Sequence, residues 1–233
     1  MTLKQLKASV LSLKNPEKIP IYQNFFKTGK GEYGEGDIFY GLTVPQSRTI
    51  VKKYSSLPLK DVESLLESEI HEERLIAILL LVHNYEHFPN KRKEIYNFYL
   101  NNTKKINNWD LVDLSAHKIV GKHIENKDRK IIYKLAKSDN LWEKRISIIA
   151  TAYFISKSDF KDTIKISELL LSDSHDLIHK AVGWMLREVG KKDISILEAF
   201  LKKHYKTMPR TMLRYSIEKF PEPVRKRYLK GEI

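Results

Sequence analysis

The chain contains no cysteine, which excludes disulfides, thiolate metal sites and a cysteine nucleophile together. Long apolar runs are missing too. The longest, Leu75 to Val82, falls far short of the roughly 20 residues needed to cross a bilayer, so no membrane partner is expected. Acid is scarce relative to base: 29 Asp and Glu stand against 42 Lys and Arg, for a formal net charge of +13 and a pI near 9.6. Such an excess of cations attracts polyanions whatever scaffold carries it, and nucleic acid is the first candidate. Residues 201–233 hold ten Lys or Arg against three Glu, so the C-terminal end is the most basic part. Nothing resembles a signal peptide, because Lys4, Lys7 and Lys14 interrupt the first twenty residues; a cytoplasmic, nucleoid-associated location is the expectation.

Strand patterns are hard to find, and helical periodicity dominates: Leu3, Leu6, Val10 and Leu13; Val62, Leu65, Leu66 and Ile70; Leu75, Ile78, Leu79 and Val82. Arg74, Asp110, Arg145, Lys180 and Arg214 head similar helical stretches at spacings of 36, 35, 35 and 34 residues, which is a repeat period. Short polar breaks precede two of the stretches, at Ser138-Asp139-Asn140 and Ser172-Asp173-Ser174, where they can cap helix amides. A helix pair of this length cannot bury its apolar face alone. The pairs must therefore stack, and the fold expected is all-α, a curved superhelical array with a concave basic face, in a single domain over 1–233. Residues 1–60 fit the period less well than 61–233. Five of the nine glycines lie between Gly29 and Gly41, an irregular loop between helices. No strand precedes them and no Gly-Lys-Ser/Thr follows, which argues against a phosphate cradle. Val44-Pro45 then opens a helix.

Three residues beyond each stretch head stand Ala77, Asp113, Ile148, Gly183 and Ile217. One repeat of five thus puts a carboxylate into the apolar register, and Trp109 precedes it by one helical turn on the same face. Trp184 falls one residue past the same register two repeats later, so Trp109, Asp113 and Trp184 are expected to flank one pocket. The basic heads Arg74, Arg145, Lys180 and Arg214 form a candidate row for a phosphate backbone; the competing reading pairs them with neighbours such as Glu73, Glu143 or Glu218.

A strand-cutting nuclease needs several carboxylates to hold divalent metal, and Asp110 with Asp113 is a thin supply. The His83/His87 and His175/His179 pairs lack His-Glu-x-x-His and a third ligand, so neither a metal nor another cofactor is expected. His117, four residues after Asp113, is at most an outer partner. Cleavage of an N-glycosidic bond fits better. Its transition state develops positive charge on the sugar, which an ionised Asp stabilises while orienting water, and an aromatic face favours cationic character.

The stretch Asn107-Asn108-Trp109-Asp110-Leu111-Val112-Asp113-Leu114-Ser115-Ala116-His117 resembles the DNA alkylation repair family, DNA glycosylases built from HEAT-like helical repeats. The likeness extends through Trp142 to Arg145, His179 to Glu188 (which includes Arg187), Pro209 to Glu218, and Val44 to Tyr54. The resemblance implies excision of cationic N3- and N7-alkylpurines from double-stranded DNA without a base-flipping pocket. By that resemblance Asp113 would be the catalytic carboxylate, Trp109 and Trp184 would contact the lesion-bearing sugar and backbone, and Arg145 would hold phosphate; Lys180, Arg187, Arg214 and Arg74 are the further candidates for phosphate contacts. A monomer with no obligate protein partner is expected. The rival readings are a non-catalytic module for damaged or branched DNA and a helical adaptor for another protein.

Overall fold

A computed structural model describes all residues from Met1 to Ile233. It is all-helical, with fifteen α-helices and, in place of strands, a single parallel bridge between Ile38 and Ile70. The chain divides into two compact units, Met1–Ser115 and Ala116–Ile233. The glycine-rich segment belongs to the same unit as the helices that follow it.

The first unit contains α1 (Leu3–Ser12), α2 (Ile19–Phe25), α3 (Val44–Lys53), α4 (Leu59–Leu66), α5 (His71–His87), α6 (Arg92–Asn101) and α7 (Trp109–Asp113). Capping boxes start α1 at Thr2/Gln5 and α3 at Thr43/Gln46, each satisfying two amides that the helix itself leaves open. Val44 and Pro45 are the first two residues of α3, as the sequence suggests. The core of this unit is α5, whose residues from His71 to Val82 are all buried. Its eight apolar residues, Leu75 to Val82, show no polar stripe because α3, α4, α6 and α7 pack around it. Each large aliphatic side chain buried this way contributes about 1.5–3 kcal/mol.

The second unit contains α8 (Lys130–Ala136), α9 (Leu141–Ala150), α10 (Ala152–Ser156), α11 (Lys161–Leu169), α12 (Asp176–Lys192), α13 (Ile194–His204), α14 (Arg210–Ser216) and α15 (Glu222–Lys230), preceded by a π-helical turn over His117–Gly121. Here the repeat is in register: Arg145, Lys180 and Arg214 are each the fifth residue of α9, α12 and α14. Asn140 caps α9 as its sequence suggests, accepting from the amides of Trp142 and Glu143. The cap of α12 is instead His175, whose ring accepts from the Leu177 amide, while Asp173 accepts from the His175 amide at 2.8 Å and pairs with Lys144 at 2.7 Å. Gly183 lets α12 and α14 approach closely, because a Cβ there would stand 2.5 Å from the Met212 carbonyl oxygen.

Candidate active site

Within α7, Asp110, Leu111 and Val112 are buried, whereas Trp109 and Asp113 are half-buried. The two residues that the sequence singles out are thus the two ends of one helical turn, and both reach the surface. Asn108 caps the turn, its Oδ1 accepting from the Trp109 amide at 2.8 Å while its Nδ2 donates to Asp37 Oδ2 at 3.1 Å. Nearby Tyr99 is fully buried, and its hydroxyl shares a 2.8 Å hydrogen bond with Ser115 Oγ. Burial, together with the charge of Asp113, holds that phenol protonated far above its ordinary range.

The indole of Trp109 stacks on Phe26, with centroids 5.2 Å apart and planes at 18°, and meets the edge of Phe25 at 5.5 Å. Phe26 also stacks on Phe39. Phe25 is 60% exposed, so an open aromatic edge stands beside Trp109. These rings come from the end of α2 and from the segment around the glycine-rich loop, to which the sequence alone assigns no role.

Behind the rings lies a buried polar cluster. His71 is 2% exposed; its Nδ1 bonds Asp37 Oδ2 at 3.1 Å and its Nε2 bonds Asp110 Oδ2 at 2.9 Å. Burial opposes the charge on this imidazole, but the Asp110 carboxylate and the hydrogen bonds to both acids override it and raise the pKa to about 9. The Phe26 and Phe39 rings, each 4.7 Å away, cover the imidazole. Arg74 Nη2 donates to Asp37 Oδ1 at 2.6 Å, and although burial works in the other direction, His71 and Arg74 together hold the Asp37 carboxyl below its usual range. Glu72 takes up the loop amides, accepting from Tyr40 at 3.0 Å, Gly41 at 2.7 Å and Leu42 at 3.1 Å. A carboxylate of the chain itself therefore fills the place that an anion would take.

The glycines make this loop possible. Gly36, at a φ of +88°, turns the chain immediately before Asp37, and Gly34 lies so close to α2 that a Cβ would sit 2.3 Å from the Phe26 carbonyl oxygen. The adjoining residues then lock onto α5, with the Ile38 amide donating to the Glu69 carbonyl and the His71 amide to that of Ile38.

In the second unit, Trp184 lines a cavity of about 380 Å³ with His117, Ile149, Ile155, Met185 and Glu188. Its indole N–H donates to Glu188 Oε1 at 3.1 Å, and Lys191 bonds the same oxygen at 2.7 Å.

The expected row of cations is not a row of open charges. Arg74 is 4% exposed and spent on Asp37 and the Ser68 carbonyl, so it is an internal ion pair and not a phosphate-facing side chain; the partner is Asp37, not the neighbouring Glu73. Arg145 is 5% exposed, and its Nη1 donates to the Leu177 carbonyl at 2.6 Å, which ties α9 to the start of α12. Lys180 pairs with Asp176 at 2.7 Å near the surface, and Arg187 pairs with Glu218. Arg214 is exposed. No group of three His, Cys, Asp or Glu side chains is placed to hold a metal ion, and no helix is long and apolar enough to cross a membrane.

A family described as DNA alkylation repair enzyme matches residues 6–220. The chain belongs to this DNA alkylation repair enzyme family. A solved structure of a predicted DNA alkylation repair enzyme from Enterococcus faecalis matches with a TM-score of 0.71 at 19% identity, covering 90% of this chain and 97% of that one. At that identity the likeness speaks for the fold. No curated protein sequence matches. The match spans α1 to α14, so the aromatic cluster, the buried acids and the Trp184 cavity all fall inside the alkylation repair region, and α15 falls outside it.

Proposed function

We propose that this DNA alkylation repair enzyme is a metal-independent DNA glycosylase that hydrolyses the N-glycosidic bond of cationic alkylated purines in duplex DNA and leaves an abasic site. The observation that carries the reading is α7: of its five residues only Trp109 and Asp113 reach the surface, one turn apart, a carboxylate beside an aromatic face. A purine cationic at N3 or N7 is already a good leaving group and needs no proton from a general acid. What remains is to stabilise the positive charge growing on the sugar and to hold water for attack at C1′. An ionised Asp113 does both, accepting a hydrogen bond from the water and, as the glycosidic bond breaks, facing the oxocarbenium-like sugar. Trp109 presents its π-face to the same developing charge, and the stack on Phe26 fixes the ring's orientation. Trp184 is assigned to the lesion-bearing backbone, and Lys180, Arg187 and Arg214 to neighbouring phosphates, whose anions would compete with Asp176 and Glu218 for the first two.

The test is single-turnover excision from a duplex carrying one 7-methylguanine. Asp113→Asn should slow excision by about 10²–10³-fold, the range for losing one preorganised charge-stabilising group, with duplex affinity within about two-fold. Unchanged excision would remove Asp113 from the mechanism. Intact DNA binding by a wild type that excises nothing would favour a non-catalytic module for damaged DNA.

A further inference from the structure

The sequence assigns His71 no function, yet the fold buries it and gives both of its ring nitrogens a carboxylate partner. It opens α5, is almost fully buried, and uses both ring nitrogens on carboxylates that come from opposite directions along the chain. Asp37 lies in the glycine-rich loop, directly after Gly36; Asp110 is the second residue of α7, directly after Trp109 and one turn before the C-terminal end that carries Asp113.

We propose that His71 is a positioning residue, a bridge between Asp37 and Asp110 that ties the glycine-rich loop to α7 and thereby fixes where Trp109 and Asp113 stand. The proposal rests on the glycosylase reading for its effect on excision, but the bridge itself stands on geometry. The loop side is held three times over, by His71, by Arg74 on the other Asp37 oxygen at 2.6 Å, and by Asn108 at 3.1 Å. On the α7 side Asp110 Oδ1 accepts from the Leu111 amide at 2.9 Å while Oδ2 meets His71, so the carboxylate links the first turn of the helix to α5. Phe26 and Phe39 close over the imidazole, and Phe26 continues the stack to Trp109. The charged groups facing His71 are Asp37 from the loop, Asp110 from α7 and Arg74 from its own helix. Two carboxylates against one guanidinium and one imidazole balance only while the imidazole carries its proton, which it does at neutral pH. Loss of that proton leaves one acceptor nitrogen opposite a carboxylate oxygen, and the link to one of the two acids breaks.

Such a residue touches no substrate. Its removal should act through the placement of Trp109 and Asp113, where a displacement of about 1 Å is enough to slow a reaction by about 10²-fold. The experiment compares wild type with His71→Gln by NMR and by single-turnover excision. In the wild type the Trp109 indole N–H resonance, assigned by its loss in Trp109→Phe, should shift with a midpoint near the His71 titration, and this shift should vanish in His71→Gln. Excision by the variant should fall by about 10- to 100-fold while duplex affinity stays within about two-fold. Should His71→Gln not fold, Asp37→Asn, which keeps the loop but cuts its arm of the bridge, must show the same loss of rate. A Trp109 resonance blind to the titration, or a variant that excises at the wild-type rate, overturns the proposal. Absence of excision by the wild type defeats the glycosylase reading instead, and the indole titration still decides on the bridge.

Discussion

The buried imidazolium makes stability depend on pH between about 6.5 and 9. His71 is raised from 6.5 to about 9 in the folded chain, a difference of about 2.5 units, and at 1.36 kcal/mol per unit this is worth about 3 kcal/mol. The sign follows from the direction of the shift. The folded state binds this proton more tightly than the unfolded chain, so the contribution is complete below about pH 6.5, shrinks as pH rises, and is gone above about pH 9. Asp37 acts at the other end: its lowered pKa gives stability that is present above the ordinary carboxylate value and lost as pH falls through the folded one. Urea unfolding of wild type and His71→Gln between about pH 6 and pH 9.5 isolates the His71 part, since every other titration occurs in both proteins. The stability difference should narrow by about 3 kcal/mol across that range. Parallel curves would show that His71 is not held as a cation between Asp37 and Asp110.

Three other outcomes follow from the packing and charge. Glu72→Ala strips the acceptor from the amides of Tyr40, Gly41 and Leu42; with buried donors left open at about 1–3 kcal/mol each, it should lower unfolding free energy by at least about 3 kcal/mol in denaturant titration. Gly183→Ala forces a methyl against the Met212 carbonyl and Tyr215 Cβ, and differential scanning calorimetry should show a loss of about 1–3 kcal/mol. Lys202, Lys203 and Lys206 are exposed and Arg225 and Arg227 lie on α15; changing Lys202, Lys203 and Arg227 together to Gln should reduce the slope of log K against log salt for duplex DNA by about 2–3, at about 0.9 for each phosphate no longer neutralised. An unchanged slope would take this basic end out of the DNA interface.

The helices are readable in the sequence from their apolar periodicity, and α9, α12 and α14 keep the spacing of their stretch heads, with Arg145, Lys180 and Arg214 each at the fifth position. Trp109 and Asp113 stand out in the sequence because a carboxylate interrupts an apolar register, and the structure leaves both half-buried at the two ends of α7. The polar cluster does not stand out in this way. His71-Glu72-Glu73-Arg74 looks like an ordinary solvated helix start, and only the fold shows that all four are buried, with partners as remote as Asp37, Asp110, Lys7 and the backbone at Tyr40 to Leu42. Arg74 and Arg145 pass for open cations through the same ambiguity, since a buried guanidinium on a carboxylate or carbonyl and an exposed one have the same one-letter code. One signal does exist: an apolar run as continuous as Leu75–Val82 leaves α5 no solvent face, so charges at its start must find partners inside.

Metal-independent excision that depends on Asp113 is tested by the product released from methylated duplex DNA in the presence of EDTA, with Asp113→Asn alongside. Free 7-methylguanine and 3-methyladenine are expected from the wild type and almost none from the variant, with the strands intact until alkali cleaves the abasic sites. Strand cleavage that EDTA abolishes, or equal base release by both proteins, would contradict it.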